Sequence, residues 1–178
     1  SHSATGGVYD SHSDYVYART ENTGNSQSVY AVDIEFGAMY FTYSMSIWNA
    51  GTMLYEELVG ESRWTGFDGG NNEVVVTNRS NASIWYTPNA RIDFLHSALG
   101  DSPVGIKANF YAENSSSGTP ITGVKQEVPA ALAGDRNSFG SAVSRRCYIR
   151  LSGVPQLSES DHFTVVGSVS ITIFPSPG

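Results

Sequence analysis

The sequence has little cysteine and little positive charge. Cys147 is the only cysteine among 178 residues, so the chain cannot form an internal disulfide. Ten Lys and Arg residues stand against 17 Asp and Glu residues, which gives a net charge of −7. A chain of this charge is repelled by a phosphate backbone and by an anionic membrane surface. We therefore expect no nucleic-acid partner.

The sequence also lacks long apolar runs and the motifs of common active sites. No apolar stretch approaches the roughly 18 residues that a membrane-spanning helix needs, so no membrane insertion is expected. The Gly-x-Ser-x-Gly pentapeptide of serine hydrolases and the Cys/His spacing of zinc sites are both missing. No pair of carboxylates has the facing arrangement that glycosidases use. We predict a non-enzymatic protein with no catalytic residues, no metal and no cofactor.

Oxygen-bearing side chains cluster in one tight turn, Asp68-Gly69-Gly70-Asn71-Asn72-Glu73. Such side chains could bind calcium, but their spacing does not match the EF-hand pattern. Asn and Asp side chains also satisfy the backbone groups of a turn directly. A turn held by its own side chains is therefore the favoured interpretation.

Two-residue alternation of apolar and polar side chains dominates the chain and predicts β-strands. It is clearest in residues 28–36, 39–45, 143–151 and 162–174, and turns rich in Gly, Asn and Ser separate these blocks. Only residues 128–134 have a composition that favours a helix. The pattern predicts an all-β fold, an antiparallel β-sandwich of Ig-like or jelly-roll-like type with at most one short helix. We expect residues 1–14 to form a flexible N-terminal arm and residues 15–178 to form a single β-sandwich domain.

The two ends of the chain are suited to strand pairing between molecules. An arm without an apolar period leads into a Tyr-rich strand, and the last strand is unusually long. Strand addition between neighbours is built from such parts, because a donated strand supplies main-chain hydrogen bonds and alternate side chains. We assign an assembly interface to Val8, Tyr9, Tyr15, Tyr17, Val169, Ile171 and Ile173.

Aromatic residues make up 12% of the chain, and its three tryptophans, Trp48, Trp64 and Trp85, lie near predicted turns. Exposed rings in such places could stack on a sugar or contact a protein. Rings that simply pack in the sheets are the competing explanation. Cys147 has apolar neighbours on its own side of a strand, which favours a buried side chain over an activated or intermolecular thiol.

Residues 36–43, 47–49 and 64–81 resemble a module found in uncharacterised secreted surface proteins of Gram-positive bacteria. These residues include the segments Phe36-Gly37-Ala38-Met39-Tyr40-Phe41, Ile47-Trp48-Asn49 and Trp64-Thr65-Gly66-Phe67-Asp68-Gly69-Gly70. The resemblance implies an Ig-like β-sandwich of the cell envelope. It brings no catalytic residues with it.

The sequence as a whole predicts a non-enzymatic structural subunit of the bacterial surface. Such a subunit would associate with copies of itself, as a homo-oligomer or as a pilus-like fibre built by β-strand addition. The alternative is a carbohydrate-binding or adhesin module that uses exposed aromatics, with a glycan as its partner. The acidic, Lys-poor, Ser/Thr/Asn-rich composition is typical of extracellular β-proteins, so we expect a secreted protein at the cell surface.

Overall fold

The fold is all-β, as predicted. The computed structural model describes residues 2–4, 9–11, 15–19, 29–44, 46–57, 63–96, 100, 103–131, 142–156 and 164–176. These ranges contain no α-helix. Their strands are β1 (His2–Ala4), β2 (Tyr9–Ser11), β3 (Tyr15–Arg19), β4 (Val29–Phe36), β5 (Thr42–Tyr43), β6 (Ser46–Asn49), β7 (Leu54–Glu57), β8 (Trp64–Thr65), β9 (Glu73–Asn78), β10 (Ile84–Ile92), β11 (Ile106–Tyr111), β12 (Gln126–Val128), β13 (Val143–Gly153) and β14 (Gly167–Pro175).

Two larger sheets carry most of the strands. The six-stranded sheet has the order β1-β3-β4-β9-β13-β11, and the four-stranded sheet has the order β12-β10-β14-β2. Every pairing in them is antiparallel except that of β1 with β3. Two further pairs, β5 with β8 and β6 with β7, form small sheets of their own.

The core consists of side chains from both larger sheets. In β9 the burial alternates strictly, with Val74, Val76 and Asn78 pointing inward. One hydrophobic cluster joins such residues of the six-stranded sheet to those of the four-stranded sheet. Its fully buried members include Ile34, Val74, Val76, Phe110, Ile149, Ile84 and Ile171. This contact between sheet faces is the arrangement of a β-sandwich.

A buried amide ties the two sheets together. The side chain of Asn78 is fully buried at the end of β9. Its Nδ2 donates hydrogen bonds to the carbonyl oxygens of Ala82, Val128 and Pro129 at 2.9, 3.2 and 2.9 Å. Its Oδ1 accepts one from the backbone N–H of Ser80 at 2.9 Å. Because Val128 ends β12, this one side chain links the six-stranded sheet to the four-stranded sheet.

Two boundaries differ from the sequence prediction. Val128 ends strand β12 instead of starting a helix, and residues 132–134 lie outside the described part of the chain. The last strand begins at Gly167, not at residue 162, and Val165 is exposed instead of facing the core. The regular pairing with β10 ends at Ile92, where Asp93 adopts a positive φ of 77° and interrupts the ladder. Beyond it, the N–H groups of Phe94 and His96 still donate to the carbonyl oxygens of Val166 and Val165.

The predicted N-terminal arm contributes two of the strands. Strand β1 pairs with β3, and β2 pairs with β14. The flexibility expected of residues 1–14 stays a prediction.

Candidate functional site

The most exposed apolar surface in the described residues is a hairpin that stands apart from both larger sheets. It consists of β6, β7 and the turn of residues 50–53 between them, and we call it the aromatic hairpin. The two strands pair in register, with Trp48 opposite Tyr55 and Asn49 opposite Leu54. Their two-stranded sheet has no third strand. Isolated hairpins are marginally stable in water, so one that exposes large apolar side chains is unusual.

Four large side chains of the aromatic hairpin lie open to solvent. Trp48 is 49% exposed, Met53 71%, Leu54 64% and Tyr55 71%. Directly opposed residues of a hairpin lie on the same face, so Trp48 and Tyr55 share one face. Their rings contact each other edge to face, with centroids 5.0 Å apart and planes at 64°. Leu54 and Glu56 lie on the opposite face and are also exposed, so both faces of the hairpin carry exposed side chains.

Asn49 fixes the turn that presents these side chains. Its Oδ1 accepts hydrogen bonds from the backbone N–H groups of Gly51 at 2.8 Å and Thr52 at 3.3 Å. Its Nδ2 donates to Oε1 of Glu56 at 2.7 Å. Met53 then closes the turn with a positive φ of 55°, a conformation that costs free energy in a residue other than glycine. The chain therefore holds an exposed methionine in place with a specific set of local bonds.

The other two predicted tryptophans are parts of the framework. Trp64 is 7% exposed, packs edge to face on Tyr43 at 5.1 Å, and donates from Nε1 to the carbonyl oxygen of Gly153 at 3.0 Å. Trp85 is partly buried and donates from Nε1 to Oγ of Ser176 at 2.8 Å. The three tryptophans lie in three different sheets, so they form no common stacking platform. Of the three predicted ligand-stacking residues, only Trp48 presents its ring to solvent.

The predicted assembly residues are divided between core and sheet edge. Ile171 and Ile173 are buried in the core of the single chain and Val169 packs against it. Their assignment to an assembly interface stays a prediction. The inward face of β14 is already filled by the molecule's own second sheet. The three predicted tyrosines lie in paired strands, with Tyr9 opposite Ile173, Tyr15 opposite Asp33 and Tyr17 opposite Ala31. Val8 lies outside the described residues.

Cys147 is buried beside the Tyr86 hydroxyl, between the two larger sheets. Burial raises the pKa of the Cys147 thiol to about 12; the Tyr86 hydrogen bond opposes this rise and the Glu73 carboxylate adds to it. Burial likewise raises the pKa of the Tyr86 hydroxyl above its usual value. Since the thiolate is the nucleophilic form of cysteine, a thiol of this pKa is inert at neutral pH. The prediction of a buried structural cysteine is confirmed.

A shallow depression of about 410 Å³ lies beside Tyr86. Its walls include Gln126, Glu127, Arg145 and Arg146. Arg146 forms an ion pair with Glu73, and Arg145 donates from its guanidinium to the carbonyl oxygen of Ser144. Both cations are therefore engaged within the protein.

The Asn-rich turn of residues 68–73 is closed by backbone hydrogen bonds, from the Asn71 N–H to the Asp68 carbonyl oxygen at 3.0 Å and from the Glu73 N–H to the Gly70 carbonyl oxygen at 3.3 Å. The favoured interpretation, a turn satisfied by its own side chains, is therefore wrong for Asn71 and Asn72, whose side chains bond to other segments. Asn71 Nδ2 donates to the carbonyl oxygens of Tyr40 at 2.8 Å and Gly66 at 2.7 Å, and its Oδ1 accepts from the Tyr40 N–H at 3.1 Å. Asn72 Nδ2 donates to the carbonyl oxygen of Ile149 and to Oδ1 of Asn114, each at 2.9 Å. These amides join the turn to neighbouring segments. Within the described ranges, no group of three His, Cys, Asp or Glu side chains is placed to hold a metal ion.

The sequence around residues 47–55 indicates the aromatic hairpin, but the alternation of apolar and polar residues there does not distinguish a hairpin from a loop. Apolar residues 47–48 and 53–55 flank Asn49-Ala50-Gly51-Thr52, a turn sequence of the kind that joins hairpin strands.

No helix in the described part of the chain is long and apolar enough to cross a membrane. Comparisons of this chain with protein-family models, with curated proteins and with solved structures find no match.

Proposed function

We propose that this chain is a non-enzymatic adhesin module that recognises a protein partner through the aromatic hairpin. The observation that carries the proposal is the joint exposure of Trp48, Met53, Leu54 and Tyr55 on a hairpin that neither larger sheet covers. Aromatic residues and methionine are enriched in the centres of protein interfaces. Burying these four side chains in a partner removes apolar surface from water, which is the main driving force of association.

The ring geometry favours a protein partner over a sugar. A sugar stacks on a flat ring face, whereas the Trp48 and Tyr55 planes meet at 64° and form a ridge. Met53 at the turn and Leu54 on the opposite face add exposed aliphatic surface to the hairpin. A ridge of this composition fits into an apolar groove. The predicted carbohydrate-binding role is therefore less well supported than binding to a protein.

The charge of the aromatic hairpin narrows the partner further. Residues 46–57 include Glu56 and Glu57 and contain no Lys or Arg. The whole chain has a net charge of −7, so an acidic partner surface would be repelled at long range. We propose a groove with an apolar floor and a basic rim as the surface that the hairpin enters.

The setting of this function, secreted and attached to a bacterial cell surface, is part of the same proposal. Its support is the acidic, Lys-poor composition and the resemblance of residues 36–81 to Gram-positive surface modules. The aromatic hairpin lies within that stretch.

Site-specific photo-crosslinking tests the proposal. A benzophenone amino acid replaces Tyr55 in one sample and the exposed Ser117 in the control sample, and each is irradiated with isolated Gram-positive cell envelopes. We expect one protein adduct from position 55 that is absent from position 117 and is lost when Trp48→Ala is added. Equal adducts from both positions would refute the proposal. Binding to a glycan array that depends on Trp48, together with the absence of a protein adduct, would indicate that the partner is a carbohydrate and not a protein.

A further inference from the structure

The basic residues of this acidic chain are concentrated in two paired strands. Strands β11 and β13 contain Lys107, Arg145, Arg146 and Arg150, four of the ten Lys and Arg residues, and neither strand contains Asp or Glu. The two strands lie side by side at one edge of the six-stranded sheet. At physiological ionic strength a charge acts over about 8 Å, so a small anion near these strands responds to the local cations more than to the net charge of the chain.

Two of these cations, Arg145 and Arg146, line the depression of about 410 Å³ beside Tyr86. It lies where β11 ends, because β11 pairs with β13 only from Tyr148 onward whereas β13 begins at Val143. Adjacent residues of a strand point to opposite faces, so the two arginines approach the depression from the two faces of β13. Both side chains are exposed.

Internal bonds orient the two guanidinium groups through one nitrogen each. Arg146 Nη1 pairs with Oε1 of Glu73, and Arg145 Nη1 donates to the carbonyl oxygen of Ser144 at 3.0 Å. A guanidinium carries five N–H donors in a planar fork, and this fork matches the geometry of a carboxylate. Burial raises the pKa of the Tyr86 hydroxyl and the Arg145 charge opposes that rise, as expected of a cation close to this hydroxyl.

The other walls of the depression offer the contacts that a sugar ring uses. Gln126 and Glu127 carry side-chain oxygens that accept hydrogen bonds from hydroxyl groups. Tyr148 also lines the depression and is half-buried, so part of its side chain is open to a ligand. An aromatic surface with a few converging polar groups is typical of a small-molecule site.

We propose that this depression binds a small sugar acid, a monosaccharide that carries one carboxylate. Arg145 and Arg146 hold the carboxylate, the oxygens of Gln126 and Glu127 accept from the sugar hydroxyls, and Tyr148 packs against the sugar ring. The inference goes beyond the adhesin proposal and does not rest on it, because the aromatic hairpin belongs to a different sheet.

Titration of the isotope-labelled full chain, followed by its amide chemical shifts, tests the inference. The probes are glucuronate, glucose, in which a hydroxymethyl group replaces the carboxylate, and acetate, which has the carboxylate without the ring. We expect saturable shifts in β12 and β13 with glucuronate, and binding of the other two that is weaker by about tenfold or more. Glucose or acetate binding as tightly as glucuronate would refute the assignment, and so would shifts that do not saturate.

Variants separate the site from a general effect of charge. Arg145→Gln should weaken glucuronate binding by about tenfold or more. Lys107→Gln removes a charge from the same two strands at their other end, opposite Ser152, and should leave that binding unchanged. Equal losses in these two variants would refute the site.

Two more variants test the ring contact and the location. Tyr148→Leu should weaken glucuronate binding by about threefold or more and leave acetate binding unchanged, because only the sugar ring packs against Tyr148. Equal losses for both probes would contradict that contact. Trp48→Ala should bind glucuronate like the parent, and a loss there would refute the depression as the site.

Discussion

The indole ring of Trp48 contacts the ring of Tyr55 edge to face, with centroids 5.0 Å apart, on a hairpin that leaves both rings exposed. Aromatic pairs of this geometry normally occur where they also bury surface in a core. Here the pair is directly opposed across β6 and β7, and the described residues provide no third layer over it. We therefore expect the pair to contribute little to the stability of the fold, although it adds exposed apolar surface to the molecule.

Removing the exposed ring should leave the fold almost unchanged. We expect Trp48→Ala to lower the free energy of unfolding by less than about 1 kcal/mol, because only a cross-strand pair is lost. Trp64→Ala should lower it by about 3–5 kcal/mol, because it empties a core position and removes the Nε1 hydrogen bond to Gly153. Urea denaturation of both variants measures the two effects. Similar losses for the two would show that Trp48 is a packing residue.

The turn of the aromatic hairpin should depend on the Asn49 side-chain oxygen. Asn49→Ala removes the acceptor for the Gly51 and Thr52 N–H groups, at a local cost of about 1 kcal/mol. Hydrogen exchange of those two amides should become faster, while the amides of β9 keep their protection. Asn49→Asp is the matched control, since it retains Oδ1. Unchanged exchange in Asn49→Ala would mean that the turn forms without this oxygen.

The buried Asn78 amide between the sheets should contribute far more to the free energy of unfolding than a nearby surface ion pair. Asn78→Ala leaves the buried carbonyl oxygen of Val128 and the partly buried ones of Ala82 and Pro129 without this donor, and we expect it to lower the free energy of unfolding by about 3 kcal/mol. Arg79→Ala removes the partly exposed pair with Asp33, whose Nε and Oδ2 lie 2.6 Å apart, and should cost less than about 1 kcal/mol. Thermal or chemical denaturation measures the stability of the two variants. A reversed order would contradict the linking role of Asn78.

Stability should fall at alkaline pH because of Cys147. Its pKa is about 12 in the folded protein against an ordinary value of 9.0, so between these values the unfolded chain loses a proton that the folded chain keeps. The unfolded state binds fewer protons in this window, and the free energy of unfolding therefore decreases as pH rises through it. We expect Cys147→Ala, compared with the parent chain at each pH, to show a shallower decline between pH 9 and 12. Equal slopes would show that the thiol is not the titrating group.

Where alternation was regular, the sequence was sufficient to predict the fold. Strand β4 follows the two-residue period, with Val32 and Ile34 buried and Asp33 and Glu35 more exposed between and after them. Strand β10 was harder to predict, because proline is rare inside a strand and Pro88 lies within the observed strand, which continues to Ile92. Proline is tolerated there because β12 pairs only with Ile84, Trp85 and Tyr86, so no ladder on that side needs an N–H from Pro88. That condition depends on the length of a neighbouring strand, which one sequence does not reveal.

The candidate site was less accessible to sequence reasoning than the fold. The three tryptophans look alike in sequence, and only tertiary packing separates the exposed Trp48 from the buried Trp64. Likewise, the apolar face of β14 indicates a buried surface but not whether this molecule or a neighbour covers it. The structure answers that question, since Ile171 and Ile173 lie in the molecule's own core.

Binding to isolated Gram-positive cell envelopes tests the central claim most directly. The retained fraction of the chain is measured by sedimentation for the parent and for Trp48→Ala, Tyr55→Ala and Val154→Ala. Val154 is the matched control, because it is an apolar residue outside the hairpin that is 59% exposed. We expect the two hairpin variants to bind about tenfold more weakly or worse, a loss of about 1.4 kcal/mol or more, and Val154→Ala to bind like the parent. Equal binding by all four proteins, or an equal loss in Val154→Ala, would contradict recognition through the aromatic hairpin.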